Sequence, residues 1–178
     1  MSTFCTFQDK TDACKPTGNQ TTEEASEPYE LINGYWVEDQ YQRKNLNNYL
    51  YEMGMSWIKR VYATSSNWED ELRIKMGCGW LNVNGLRGPF AEAYHFSAPL
   101  DNRTVAEMDI GAFGGRTQAT ASIIDNSIVS KVRKPGSSDL FFTVTNKLDP
   151  YDMDVLNVEY KHLDSNVVWR SVFNRVWE

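Results

Sequence analysis

The chain has 178 residues and a formal net charge of −6, long enough for one domain with a sizeable core. That balance, with no cluster of five or more Lys/Arg, excludes the basic footprint of a nucleic-acid or anionic-membrane binder. No apolar run approaches the roughly 20 residues that a membrane span requires, and no charged start followed by an apolar core marks a secretory signal.

Residues 1–30 are rich in Thr, Ser, Glu, Gln, Asn and Pro, and carry Lys10 and Lys15 against six acidic side chains, a net −4. So few apolar residues cannot offset a backbone ordering cost of roughly 1–2 kcal/mol per residue, so a disordered acidic extension is expected there. A single globular domain is expected over 31–178. Cys5, Cys14 and Cys78 form an odd, sparse set without metal spacing, which is simplest in a reduced, cytoplasmic setting.

Leu31 to Tyr41 reads as a first strand with an early glycine at Gly34. Asn45 is placed to cap a helix in which Leu46, Tyr49, Leu50 and Met53 share one face, and Gly54 sits where that helix ends. A second short helix follows, with Met55, Ile58 and Tyr62 at helical spacing and Lys59 and Arg60 toward solvent. Strands then succeed one another: Glu71–Met76, Trp80–Asn84, Ala91–Phe96, Thr104–Asp109, Gln118–Ile124, Ser127–Val132, Leu140–Leu148, Val155–Leu163 and Val167–Trp177. Asn84-Gly85, Gly88-Pro89, Asp125-Asn126, Pro135-Gly136, Asp149-Pro150 and Asp164-Ser165-Asn166 supply turn chemistry between them.

About ten strands in adjacent hairpins predict an all-β, up-and-down antiparallel sheet. A sheet of that length tends to close, because closure removes its edges. A barrel of that size encloses more space than its own side chains need to fill. Polar and aromatic residues at both strand parities, such as Tyr94, His95, Thr143, Thr145, Asn146, Tyr160 and His162, fit an interior that holds water and one amphipathic ligand.

Two stretches carry a resemblance. Gly34-Tyr35-Trp36 leads through Asn45-Leu46-Asn47-Asn48-Tyr49-Leu50 to Met53-Gly54-Met55, and continues to Arg60-Val61-Tyr62-Ala63. At the other end stands Val167-Val168-Trp169-Arg170-Ser171-Val172-Phe173-Asn174-Arg175-Val176. Together they resemble the opening and the last strand of the intracellular lipid-binding proteins, the fatty-acid-binding and cellular retinol-binding proteins. Gly77-Cys78-Gly79 and the connection Asp149 to Asp154 depart from that family's pattern.

The resemblance implies a ten-stranded, calycin-like barrel with a helix-turn-helix lid and one lipid inside. Family members that bind carboxylates carry Arg-x-Tyr in the last strand and an earlier Arg; in register, Ser171 and Phe173 take the first two positions and Asn146 the third. The carboxylate clamp is therefore absent and a neutral head group is favoured, unless Arg133 faces the cavity. The expected ligand contacts are Trp57 in the lid, Phe90 at the portal, and Arg133, Asn146, Tyr160, His162, Ser171 and Phe173.

Nothing argues for catalysis. His95 and His162 lack an acidic partner at motif spacing, Cys78 has no visible activator, and Gly114-Gly115-Arg116 lacks the strand-to-helix context of a phosphate loop. Asp149, Asp152 and Asp154 miss the spacing of a Ca²⁺ loop. The expectation is a monomeric carrier without cofactor, metal or nucleic-acid partner, able to touch a membrane transiently through its lid. The alternative is a barrel that stabilises or binds other proteins through its surface and acidic tail.

Overall fold

The computed structural model describes residues 31–65, 67–87, 92–109 and 115–177. The expected tail at 1–30, the Gly88-Pro89 turn and Phe90 lie outside the described residues.

Ten antiparallel strands close into a barrel: β1 (Gly34–Glu38), β2 (Glu71–Gly77), β3 (Trp80–Arg87), β4 (Glu92–Pro99), β5 (Ala106–Asp109), β6 (Arg116–Ile124), β7 (Ser127–Arg133), β8 (Leu140–Leu148), β9 (Val155–His162) and β10 (Val168–Val176). Neighbours in sequence are neighbours in the sheet, and β1 closes the circle by pairing with both β2 and β10. The thinnest seam is β4 to β5, where Phe96 pairs with Met108. After β1 the chain makes a short turn and two helices, α1 (Leu46–Glu52) and α2 (Trp57–Ser65), before entering β2.

Period-two alternation sets which side chains face inward. Trp36 and Glu38 share one parity on β1, and Trp169, Ser171 and Phe173 share one on β10. Across the register Glu38 faces Phe173, Trp169 faces Tyr160, and Ser171 faces Val158, which in turn faces Asn146. The wall from β4 to β7 is lined largely by small and aliphatic residues, including Ala98, Ala119, Ala121, Ile128 and Val132, with Phe96 as its one buried aromatic among the described residues. The wall from β8 through β10 to β1 carries the bulk: Phe142, Tyr160, Trp169, Phe173 and Trp36.

At the end away from the helices, Arg175 fastens the seam. Its Nη1 donates to the Asn33 carbonyl at 2.7 Å, its Nη2 to that of Leu31 at 2.6 Å, and the guanidinium lies 4.2 Å over the Trp36 ring. The tight turns follow their residues: Asp125 and Asn126 both adopt positive φ, the geometry a two-residue hairpin needs.

Four expectations are corrected. Asn84-Gly85 is no turn but part of β3, because a Cβ on Gly85 would come 1.8 Å from the Glu71 carbonyl oxygen: the glycine admits close backbone approach. Asn45 stands at the N-cap of α1 without its side chain capping; its amide donates instead to the Val168 carbonyl at 2.8 Å, tying the lid to β10. The apolar face expected for α2 is in water, and only Ala63 of that helix is buried. Cys78 is disulfide-bonded, contrary to the expected set of free thiols, so the argument from cysteines to a reduced compartment does not hold.

Candidate functional site

The candidate site is the inner face of the barrel beneath α1. Leu46, Tyr49 and Leu50 of α1 and Met53 at its end are buried against it, as the helical spacing predicts. Tyr49 packs on Trp169 and Tyr160, with ring centroids 5.7 and 6.2 Å away, and Tyr160 stacks on Trp169 at 4.1 Å. This aromatic cluster, built from α1, β9 and β10, joins lid to barrel. Within it the Trp169 Nε1–H is buried and has no hydrogen-bond acceptor. Leaving such a donor unmatched costs roughly 1–3 kcal/mol.

A second unmatched pair faces the interior from the adjoining wall. Asn146 and Ser130 are inward residues of β8 and β7, and the pairing of Ile128 with Asn146 and of Ser130 with Val144 makes them diagonal neighbours. They are 7 % and 5 % exposed, and within the described structure neither side chain makes a hydrogen bond. A buried amide and hydroxyl left open on the inner wall are where a water or a ligand's polar atom gains most.

The third feature is charged and self-contained. Glu38, only 2 % exposed, ends β1 inside the barrel. Arg43, from the turn before α1, grips its carboxylate with two nitrogens, Nε donating to Oε1 at 2.9 Å and Nη2 to Oε2. Ser171 Oγ donates to the same Oε1 at 2.5 Å, and the Asp70 amide to Oε2 at 3.2 Å. Arg43 also donates to the Trp68 carbonyl at 2.9 Å and lies 3.6 Å over the Trp68 ring. The segments entering and leaving the lid therefore meet at one buried carboxylate.

Among the residues expected as ligand contacts, Asn146, Tyr160, Ser171 and Phe173 come together on the inner faces of β8, β9 and β10. His162 is buried at the end of β9, where its Nδ1 accepts from the Ser165 amide at 3.3 Å and lies 2.9 Å from the Ser165 hydroxyl; its ring meets Phe141 edge-on. That is a turn-fastening arrangement. Trp57 is 68 % exposed on the outer side of the lid, so as an interior contact it is corrected. Arg133, whose facing the sequence left open, is no interior contact: it shares the outward parity of Val129 and Lys131, and its Nη1 reaches Gln118 at 3.4 Å. There it lines an outer cleft of about 450 Å³ with Glu107, Arg116 and Lys134, whose pKa is raised by its bond to Asp164.

Sequence reasoning missed Glu38, Arg43, Ser130 and Trp169. The available signal was the shared parity of Glu38 with Trp36 and of Trp169 with Ser171 and Phe173. A glutamate near a strand end ordinarily reads as solvent-facing.

No family model matches the chain and no curated protein does. Solved structures do. Lipid binding protein 8 of Caenorhabditis elegans superposes with a TM-score of 0.63 at 17 % identity, over 82 % of this chain and 96 % of that one. The fold is that of the fatty-acid-binding proteins. Schistosoma mansoni fatty acid binding protein, solved with arachidonic acid, gives 0.65 at 10 % identity over 85 % of this chain and all of its own. A heat soluble protein from Ramazzottius varieornatus gives 0.64 at 11 % identity, over 83 % and 96 % of the two chains.

Proposed function

We propose that the protein is a non-enzymatic carrier holding one hydrophobic small molecule, a fatty acid, retinoid, pigment or similar lipid, inside the barrel. The observation that carries this reading is the pair Asn146 and Ser130: polar groups without a hydrogen-bond partner, facing inward in a closed barrel. Burying an alkyl chain contributes about 0.8 kcal/mol per CH₂, so a dozen methylenes outweigh any single polar contact several-fold. Association entropy takes back roughly 4–15 kcal/mol, which leaves useful affinity.

Asn146, Tyr160, Ser171 and Phe173 serve as the contacts under this reading, joined by Ser130 and Trp169. The exposed Trp57, Ile58, Val61 and Tyr62 on α2, beside Lys59, are suited to transient contact with a membrane during exchange. The carrier works as a monomer.

Native mass spectrometry after gentle purification, combined with displacement of an environment-sensitive fluorescent lipid, tests the proposal. A bound mass and displacement by at least one class of fatty acid, retinoid, bile pigment or sterol are expected; no displacement by any of them would sink it.

A second reading, a surface-acting barrel that stabilises other proteins, is favoured by the similarity to the Ramazzottius varieornatus protein and by the −4 charge of residues 1–30. Deleting 1–30 separates the two. Loss of a protective effect with probe binding unchanged selects the surface reading.

A further inference from the structure

We propose that Glu38 determines the head-group preference of the barrel: it engages Arg43 from inside, so the ligand's polar end is an uncharged oxygen, an alcohol or carbonyl, and not a carboxylate. This rests on the carrier reading above and names the ligand class that the same interior selects.

The argument is a balance of buried charge. Among the described residues the buried charged side chains are Glu38 and Asp70, both acids. The guanidinium nearest them, Arg43, has its Nε and one Nη on Glu38 and a further contact on the Trp68 carbonyl. Arg175 is held by the carbonyls of Leu31, Asn33 and Met153 and by Asp154 at the opposite end. Arg60 belongs to the lid, where its Nη1 donates to the Met55 carbonyl and its guanidinium lies 5.0 Å from the Tyr51 ring, while its buried Nε–H has no acceptor. An anionic ligand end entering beneath α1 would thus share the interior with the Glu38 carboxylate and find the Arg43 guanidinium already engaged by it, an arrangement that desolvation penalises heavily.

What the interior does offer is neutral. Trp169 Nε1–H is a buried donor without an acceptor, and Asn146 and Ser130 supply an amide and a hydroxyl. Donors of this kind match the oxygen of an alcohol or carbonyl without a charge to compensate. Ser171, on the same face two residues from Trp169, already donates to Glu38, so the protein carries its own carboxylate where it would otherwise receive one.

The test uses the full chain loaded with Nile red, an uncharged probe, displaced by dodecanol or by dodecanoate. Wild type is expected to release the probe to dodecanol at about tenfold lower concentration than to dodecanoate, the ratio that one lost polar match sets. W169F should weaken dodecanol several-fold and leave dodecanoate unchanged. E38A empties the place of the internal carboxylate and should raise dodecanoate affinity about tenfold by releasing Arg43; E38A/R43Q should lose that gain. Should E38A fail to fold, E38Q keeps the side-chain volume and is read in the same way, and the wild-type ratio with W169F decides independently. Dodecanoate binding as tightly as dodecanol to wild type, or an unchanged ratio in a folded E38A or E38Q, overturns the inference while leaving the carrier reading standing. If neither compound displaces the probe, both fall.

Discussion

The two helices of the lid show the same kind of apolar spacing in the sequence and opposite fates in the structure. Both space apolar residues at helical intervals, yet α1 buries Leu46, Tyr49 and Leu50 while α2 leaves Ile58 74 % and Tyr62 47 % exposed. The difference is what each helix has beneath it. α1 lies on the Trp169–Tyr160 stack and is tied to β10 through Asn45, whereas α2 is held at its ends, by Arg60 to the Met55 carbonyl and by Trp68 Nε1 to the Ala63 carbonyl at 2.7 Å. An amphipathic pattern thus announces a face able to be buried, and only the tertiary partner decides whether it is. One helix is part of the core; the other is a cover.

The comparison is broken most severely at Leu50. Leu50→Ala removes a fully enclosed side chain from beneath the lid and should lower stability by about 2–5 kcal/mol, displacing the midpoint of a urea unfolding curve with an unchanged slope. If the variant loses less than about 0.5 kcal/mol, a value typical of surface positions, α1 is no more embedded than α2 and the contrast collapses.

Gly54, between the helices, gives the next effect. Its φ of +77° is left-handed, and a Cβ there would meet nothing within 4 Å. The whole cost of Gly54→Ala is therefore conformational, about 1–2 kcal/mol, with no steric part. Gly54→Asn, which tolerates the same backbone region better, should recover part of it. Equal losses for Ala and Asn in thermal unfolding would show that the junction relaxes rather than holding this turn.

How far all this was legible in the sequence follows from which forces are local. The ten strands and their order were readable because alternation and turn chemistry are written within a few residues, as at Asp125-Asn126 between β6 and β7. Asn84-Gly85 carries the same kind of signal and misleads, since Gly85 answers to the Glu71 backbone across the strand pair rather than to a turn. Which residues line the inner face was half readable. Ser171, Phe173 and Asn146 fell on that face through the likeness of the last strands to the resembled family, and Tyr160 through its strand; which side of the lid or wall Trp57 and Arg133 occupy is set by the fold alone. Glu38 was missed because its partners Arg43, Asp70 and Ser171 assemble only when the barrel closes.

The smallest effect on stability is also the one that gives the contrast a use. Trp57→Ser and Ile58→Ser on α2 alter side chains already in water, so each should change unfolding free energy by no more than about 0.5 kcal/mol. Amide hydrogen exchange should agree, with α2 amides exchanging well before those of α1, since a helix with one buried side chain opens locally at little cost. Under the carrier reading the same pair of changes should slow release of a fluorescent lipid to vesicles, because the exposed indole and isoleucine are the groups that would insert at the bilayer interface. Slowed transfer with unchanged melting separates the cover from the core. Unchanged transfer in both variants would remove the membrane-facing role from α2 and leave its exposed face without a part in exchange.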